Sequence, residues 1–107
     1  MDSSTIKSLV ETELARGDSF TSFHGITQTN LRSLLVEPFA VRTAPDDLET
    51  QPRDMWIVLQ ERPAPTDGYV VVYDPATGGW GVAEHAGDGD FTLVVSAPSL
   101  AEALSGM

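Results

Sequence analysis

Two segments of this chain are apolar on both sides of an extended strand. In Met55–Leu59, Met55, Ile57 and Leu59 share one parity and Trp56 and Val58 the other. In Tyr69–Tyr73, Tyr69, Val71 and Tyr73 oppose Val70 and Val72. A strand of this kind must be covered twice, so it belongs at the centre of a sheet. Two further runs, Trp80–Ala83 and Phe91–Val95, follow, with Pro, Gly and Asp in the gaps. They alternate more cleanly, which leaves one side wet. Asp74-Pro75-Ala76-Thr77-Gly78 is a tight-turn signal: Pro presets a turn dihedral, Asp accepts from turn amides, and Gly supplies positive φ. Phe39–Thr43 alternates too and supplies a candidate first strand, with Pro38 suited to its start or to an edge.

Helical signals bracket these strands. Ile6, Leu9, Val10 and Leu14 form one apolar stripe, with Ser3 or Ser4 as cap and Gly17 as stop. Glu11, Glu13 and Arg16 lie off the stripe and are expected to face water. A second, shorter helix is expected from Thr29 or Asn30, carrying Leu31, Leu34 and Leu35 and ending by Glu37 because Pro38 cannot continue it. Ser99 and Glu102 have the spacing of a capping box at the start of a last helix. Between these elements lie an aromatic loop with Phe20, Phe23 and His24, and a polar connection over 44–53, read as mobile with one helical turn after Pro45.

The fold expected is therefore α+β: a four- or five-stranded antiparallel meander sheet with two N-terminal helices and a C-terminal helix, in a single domain over 1–107. Leu9, Val10, Leu14, Ile57, Leu59, Val71, Leu93 and Leu100 are expected to be buried together, and Trp80 to join the core. If Met55, Ile57 and Leu59 face the helices, Trp56, Val58, Val70 and Val72 form a second apolar face. It then needs the second helix, the 44–53 segment or another chain above it, which extends the reading to a weak homodimer.

Composition narrows the functional classes. The net charge is −10, and all six basic residues fall in the first 62 positions. Positions 63–107 hold six acids and no Lys or Arg. A surface of this sign repels phosphate backbones and attracts basic partners, so nucleic-acid binding is not expected. No stretch approaches the roughly 20 apolar residues of a membrane helix, so no membrane association is expected. The N-terminus lacks the order of a signal peptide, and cysteine is absent, pointing to the cytoplasm.

No chemical motif stands out. Asp88-Gly89-Asp90 has calcium-loop oxygens without the distal bidentate Glu, and reads as a hairpin turn. His24 and His85 are the only imidazoles; His85 follows Glu84 on a strand, where neighbours point apart. No nucleophile elbow is present, and Gly78-Gly79 opens no helix that could hold a phosphate. No cofactor, metal or catalytic set is assigned. The expectation is a small acidic non-catalytic protein-binding module, inhibitor- or antitoxin-like, for a basic partner. The alternative is a small-ligand domain or minor enzyme with a pocket between sheet and helices. Candidate contact residues are Trp56, Tyr69, Tyr73, His24, His85, Asp88 and Asp90.

Overall fold

A computed structural model describes residues 2–22, 24–45, 51–64 and 66–106. The order is α1 (Ser3–Ala15), α2 (Leu31–Leu34), β1 (Leu35–Ala44), β2 (Arg53–Gln60), β3 (Tyr69–Asp74), β4 (Gly79–Gly87), β5 (Asp90–Ala97) and α3 (Leu100–Ser105). Consecutive strands pair antiparallel, as a meander should. The sheet does not stay open, however. Thr43 and Ala44 of β1 pair in parallel with Phe91 and Thr92 of β5, and the five strands close into a barrel.

Closure answers the problem of the doubly apolar strands. One side of the sheet lines the barrel: Met55, Ile57, Val70, Val72, Ala83, Phe91 and Leu93, with Val36 and Val41 packed against them. The other side meets the helices: Val58, Leu59, Val71, Tyr73, Trp80 and Val82 pack with Ile6, Val10, Ile26, Leu31, Leu100 and Leu104. The eight residues expected in one core are thus divided. Ile57 and Leu93 line the barrel, while Leu59 and Val71 on its outer side pack with Val10 of α1 and Leu100 of α3, with Leu9 and Leu14 at the margin. The face grouped as Trp56, Val58, Val70 and Val72 is also split. Val70 and Val72 point inward; Trp56 and Val58 point outward.

A bulge accounts for the divided parity. Ile57 pairs with Val72 and Leu59 with Val71, so Val58 is an extra residue in β2. One inserted residue turns the rest of the strand over, and Leu59 leaves the side of Met55 and Ile57. The β4–β5 pair shifts in the same way between Val82 and Ala83, where Val94 is the extra residue. Bulges bend and twist strands, which a narrow barrel requires. At Gly81 an added Cβ would lie 2.5 Å from both Leu93 Cδ1 and the Val95 carbonyl oxygen, so only glycine fits there.

Two helix boundaries differ from expectation. Asp2, not Ser3 or Ser4, caps α1: its Oδ1 accepts from Thr5 N at 2.9 Å. α2 is a single turn that stops at Leu34, and β1 starts at Leu35 and carries Pro38 in an irregular stretch between Leu35 and Phe39. Proline disfavours helix in the residue before it and cannot donate to a ladder, so a bulge suits it. α3 begins at its expected cap: Ser99 Oγ accepts from Glu102 N at 3.2 Å, and the Leu100 amide is met by Glu13 Oε1 of α1 at 2.8 Å. Glu13, expected in water, has a side chain only 13% exposed. The helical turn expected after Pro45 lies outside the described residues, as do Phe23 and Met107. No helix among the described residues is long and apolar enough to cross a membrane.

Candidate functional site

The seven candidate residues fall in three places. His24 and Tyr69 come together at the β2–β3 hairpin. Their rings meet edge to face at 5.0 Å. Glu61, a residue the sequence reading passed over, ties them: Oε2 lies 3.0 Å from His24 Nδ1, and Oε1 accepts from Tyr69 N at 2.8 Å. Its carboxylate side chain is 10% exposed and that of His24 36%. Gly68 passes so close that a Cβ there would strike the Glu61 carboxylate, and its φ of +70° also favours glycine. A proton on Nδ1 is donated to this carboxylate, which fixes the orientation of the imidazole. The signal for Glu61 was its place in the hairpin: Gln60 pairs with Val70, which sets Glu61 opposite Tyr69. That register is a property of the pairing and cannot be read from either strand alone.

Trp56 and Tyr73 are direct cross-strand neighbours on the outward side. Tyr73 is buried and packs against the Trp80 ring at 4.9 Å, and Trp56 is half-buried against the same layer. Both are filled into the packing between barrel and helices. His85 stands at the far end of β4, its ring 5.4 Å from that of Phe91. Asp88 and Asp90 belong to the β4–β5 turn, where Asp88 has φ +53° between Gly87 and Gly89, both also at positive φ. Asp88, Asp90, Arg42 and Phe91 border a hollow of about 240 Å³ at that mouth of the barrel. Among the described residues, no three His, Asp or Glu side chains converge as metal ligands.

An ion pair joins the start of β2 to the end of β3. Arg53 Nε reaches both oxygens of Asp74, at 3.1 and 3.2 Å, and Asp74 also accepts from Ala76 N at 3.0 Å and from the Thr77 hydroxyl at 3.2 Å. Burial works against the charge on Asp74, but the hydrogen bonds from Arg53 and Ala76 outweigh it and hold the carboxyl below its ordinary range. The bond to Asp74 raises Arg53 in turn, above its usual value. These groups are spent on each other.

A third feature lies between the helices. α1, the loop after it, α2 and α3 surround a cleft of about 150 Å³ floored by Leu14, Phe20, Leu31, Leu100 and Leu104. It continues, past Asp18 and Ala101, into a shallow trough bordered by Arg16 and Glu102.

The charges show a pattern across all three places. Lys7 binds Glu37 at 2.7 Å, Arg16 binds Glu13 and Asp18, Arg32 binds Glu11, and Arg53 binds Asp74. Hydrogen bonds from Lys7 and Ser3 lower the pKa of Glu37. Among the described residues, no cation stands within 4.0 Å of Asp67, Glu84, Asp88, Asp90 or Glu102. No protein-family model, curated protein or solved structure matches the chain.

Proposed function

We propose that the protein is a small acidic, non-catalytic binding module for a basic protein partner, in the manner of an inhibitor or antitoxin. One observation carries this reading. Four of the six cations are engaged by carboxylates, while the acids of β4, the β4–β5 turn and α3 stand without a counter-charge among the described residues. Surface charge of one sign steers an oppositely charged protein into encounter and repels nucleic acid and further copies of itself. Glu84, Asp88 and Asp90 are exposed and lie on one hairpin, so they present this charge together.

The test is affinity capture from native lysate with the wild-type chain and with a Glu84→Gln/Asp88→Asn/Asp90→Asn variant. Asn tolerates the positive φ at position 88. A basic protein should be enriched by the wild type, lost with the variant and lost in high salt. Capture that is indifferent to both the variant and salt sinks the proposal.

The His24–Glu61 pair favours a second reading, a small-ligand site or minor enzyme. A carboxylate-oriented imidazole is half of a general-base arrangement. Among the described residues, no hydroxyl is hydrogen-bonded to the second ring nitrogen, so the pair lacks a nucleophile to activate. A hydrolytic activity abolished by His24→Ala would bring this reading forward.

A further inference from the structure

The cleft between α1 and α3 is bordered by residues of three helices and the loop after α1. Its floor is built from side chains already placed by the fold. Leu31, Leu100 and Leu104 are buried, Leu14 and Phe20 are partly buried, and none can swing away without leaving the layer on the barrel. Glu13 fixes the walls relative to each other. Its Oε1 accepts from Leu100 N, so α1 holds the start of α3 at a set distance. A further bond, from Thr21 N to Ser105 Oγ at 3.3 Å, ties the loop after α1 to the end of α3. The cleft is therefore pre-formed.

Its size is informative. About 150 Å³ is enough for a benzene-sized group in an apolar cavity, and is below the roughly 300–1,000 Å³ of most small-molecule pockets. One branched aliphatic or aromatic side chain fits. The opening does not end there: it runs into the trough over Asp18 and Glu102, which gives the site the length of a peptide segment.

The rim selects charge. Glu13, Asp18 and Glu102 stand against Arg16 and Arg32; Arg16 is bound to Glu13 and Asp18, and Arg32 to Glu11. Glu102 is left unpaired among the described residues. A cation arriving beside the apolar anchor meets it at the trough. A second copy of this chain would bring its own net charge of −10 to an acidic rim, which disfavours it as occupant.

We propose that this cleft is an anchor site, which takes one aliphatic or aromatic side chain of a partner segment carrying a lysine or arginine beside it. The inference rests on the binding-module reading and locates its apolar contact. Anchors of this kind supply most of the energy of an interface, while surrounding charges govern approach and selectivity.

The experiment is a ¹⁵N–¹H NMR titration of the full chain with three short capped peptides, containing Leu-Lys, Leu-Glu and Gly-Lys. The Leu-Lys peptide should shift amides of Leu14, Phe20, Leu31 and Leu104 saturably, and more tightly than the other two. Ala101→Phe places a ring at the junction of cleft and trough without altering the floor. It should weaken the Leu-Lys peptide by at least about tenfold while the rest of the spectrum keeps its dispersion. Glu102→Gln should narrow the gap between Leu-Lys and Leu-Glu. Equal responses to the three peptides, shifts elsewhere, or unchanged binding by Ala101→Phe would each overturn the anchor site. If a basic partner is captured as above and Ala101→Phe leaves its affinity intact, the cleft is wrong and the module reading stands. If the peptide binds the cleft and no basic partner is captured, the reverse holds.

Discussion

The barrel interior and the layer beneath the helices are built from different residues, although the same strands supply both. The interior takes Val70, Val72, Ala83, Ile57, Leu93, Met55 and a single ring, Phe91. The outer layer takes Tyr73, Trp80, Trp56 and Phe20 together with leucines from both ends of the chain. A five-stranded barrel encloses little volume, so its lining must be slender, and at Gly81 it allows no side chain at all. The space between a curved sheet and helices is less regular, and large flat rings fill it. An apolar strand face therefore does not by itself imply a partner chain. Here the second face is buried by closing the sheet on itself, and the premise for a homodimer goes with it.

Substitutions can break this comparison. The largest effect is expected from the lining. Leu93→Ala should cost about 2–5 kcal/mol in chemical denaturation, because a closed barrel cannot collapse around the void. Leu9→Ala, at the margin of the outer layer, should cost clearly less. Equal losses would mean that the two regions are not distinct. Next comes the Arg53–Asp74 pair. Asp74→Ala removes the partner of a partly exposed guanidinium and two turn bonds, and should cost about 1–3 kcal/mol. The pH dependence has a definite sign. The Asp74 carboxyl is lowered in the folded state, so its contribution is fully present above its ordinary value of 3.8 and is lost as pH falls through the lower folded value. Asp74→Asn should flatten the acid limb of the stability curve below about pH 4; an unchanged limb would assign the acid sensitivity to other carboxylates.

Gly81→Ala sharpens the comparison at a single atom. It should destabilise by about 1–3 kcal/mol through overpacking against Leu93, and a second substitution, Leu93→Val, should recover part of the loss. No rescue would mean that the Val95 carbonyl, not the Leu93 side chain, is the obstacle. The smallest effect concerns association. Sedimentation velocity at low and moderate salt should show one monomer species, because closure buries one apolar face of β2 and β3 and the helices cover the other. A concentration-dependent dimer would direct attention back to exposed Phe39 and Val94.

Much of this architecture is legible locally. The stripe of Ile6, Leu9, Val10 and Leu14, the Asp74 turn and the Ser99 cap each depend on residues a few positions apart, and each forms where the spacing places it. What escaped notice depends on distant pairings. Nothing near Thr43 announces that it will lie beside Phe91. Nothing within Met55–Leu59 marks Val58 as the inserted residue, since its neighbours are all apolar. Glu13 reads as a solvent acid and Glu61 carries no assignment until a helix pair and a hairpin register bring amides to them. Of the candidate residues, His24 and Tyr69 share a site, whereas Trp56 and Tyr73 are held in packing and His85, Asp88 and Asp90 stand at a barrel mouth.

The seam between β1 and β5 has a consequence for how the molecule comes into being. Among the described residues, Thr43 with Phe91 and Ala44 with Thr92 stitch it, across nearly half the chain. During synthesis the lining of the barrel is expected to stay open to water until β5 has left the ribosome, because the closing strand is the last of these five to be made. The nascent chain then carries a curved sheet with one wet apolar face, the kind of surface that chaperones bind. In the finished protein the same short stitch is the natural place for the wall to breathe. Amides of Thr43, Ala44, Phe91 and Thr92 are expected to exchange with solvent ahead of those in the long β3–β4 ladder.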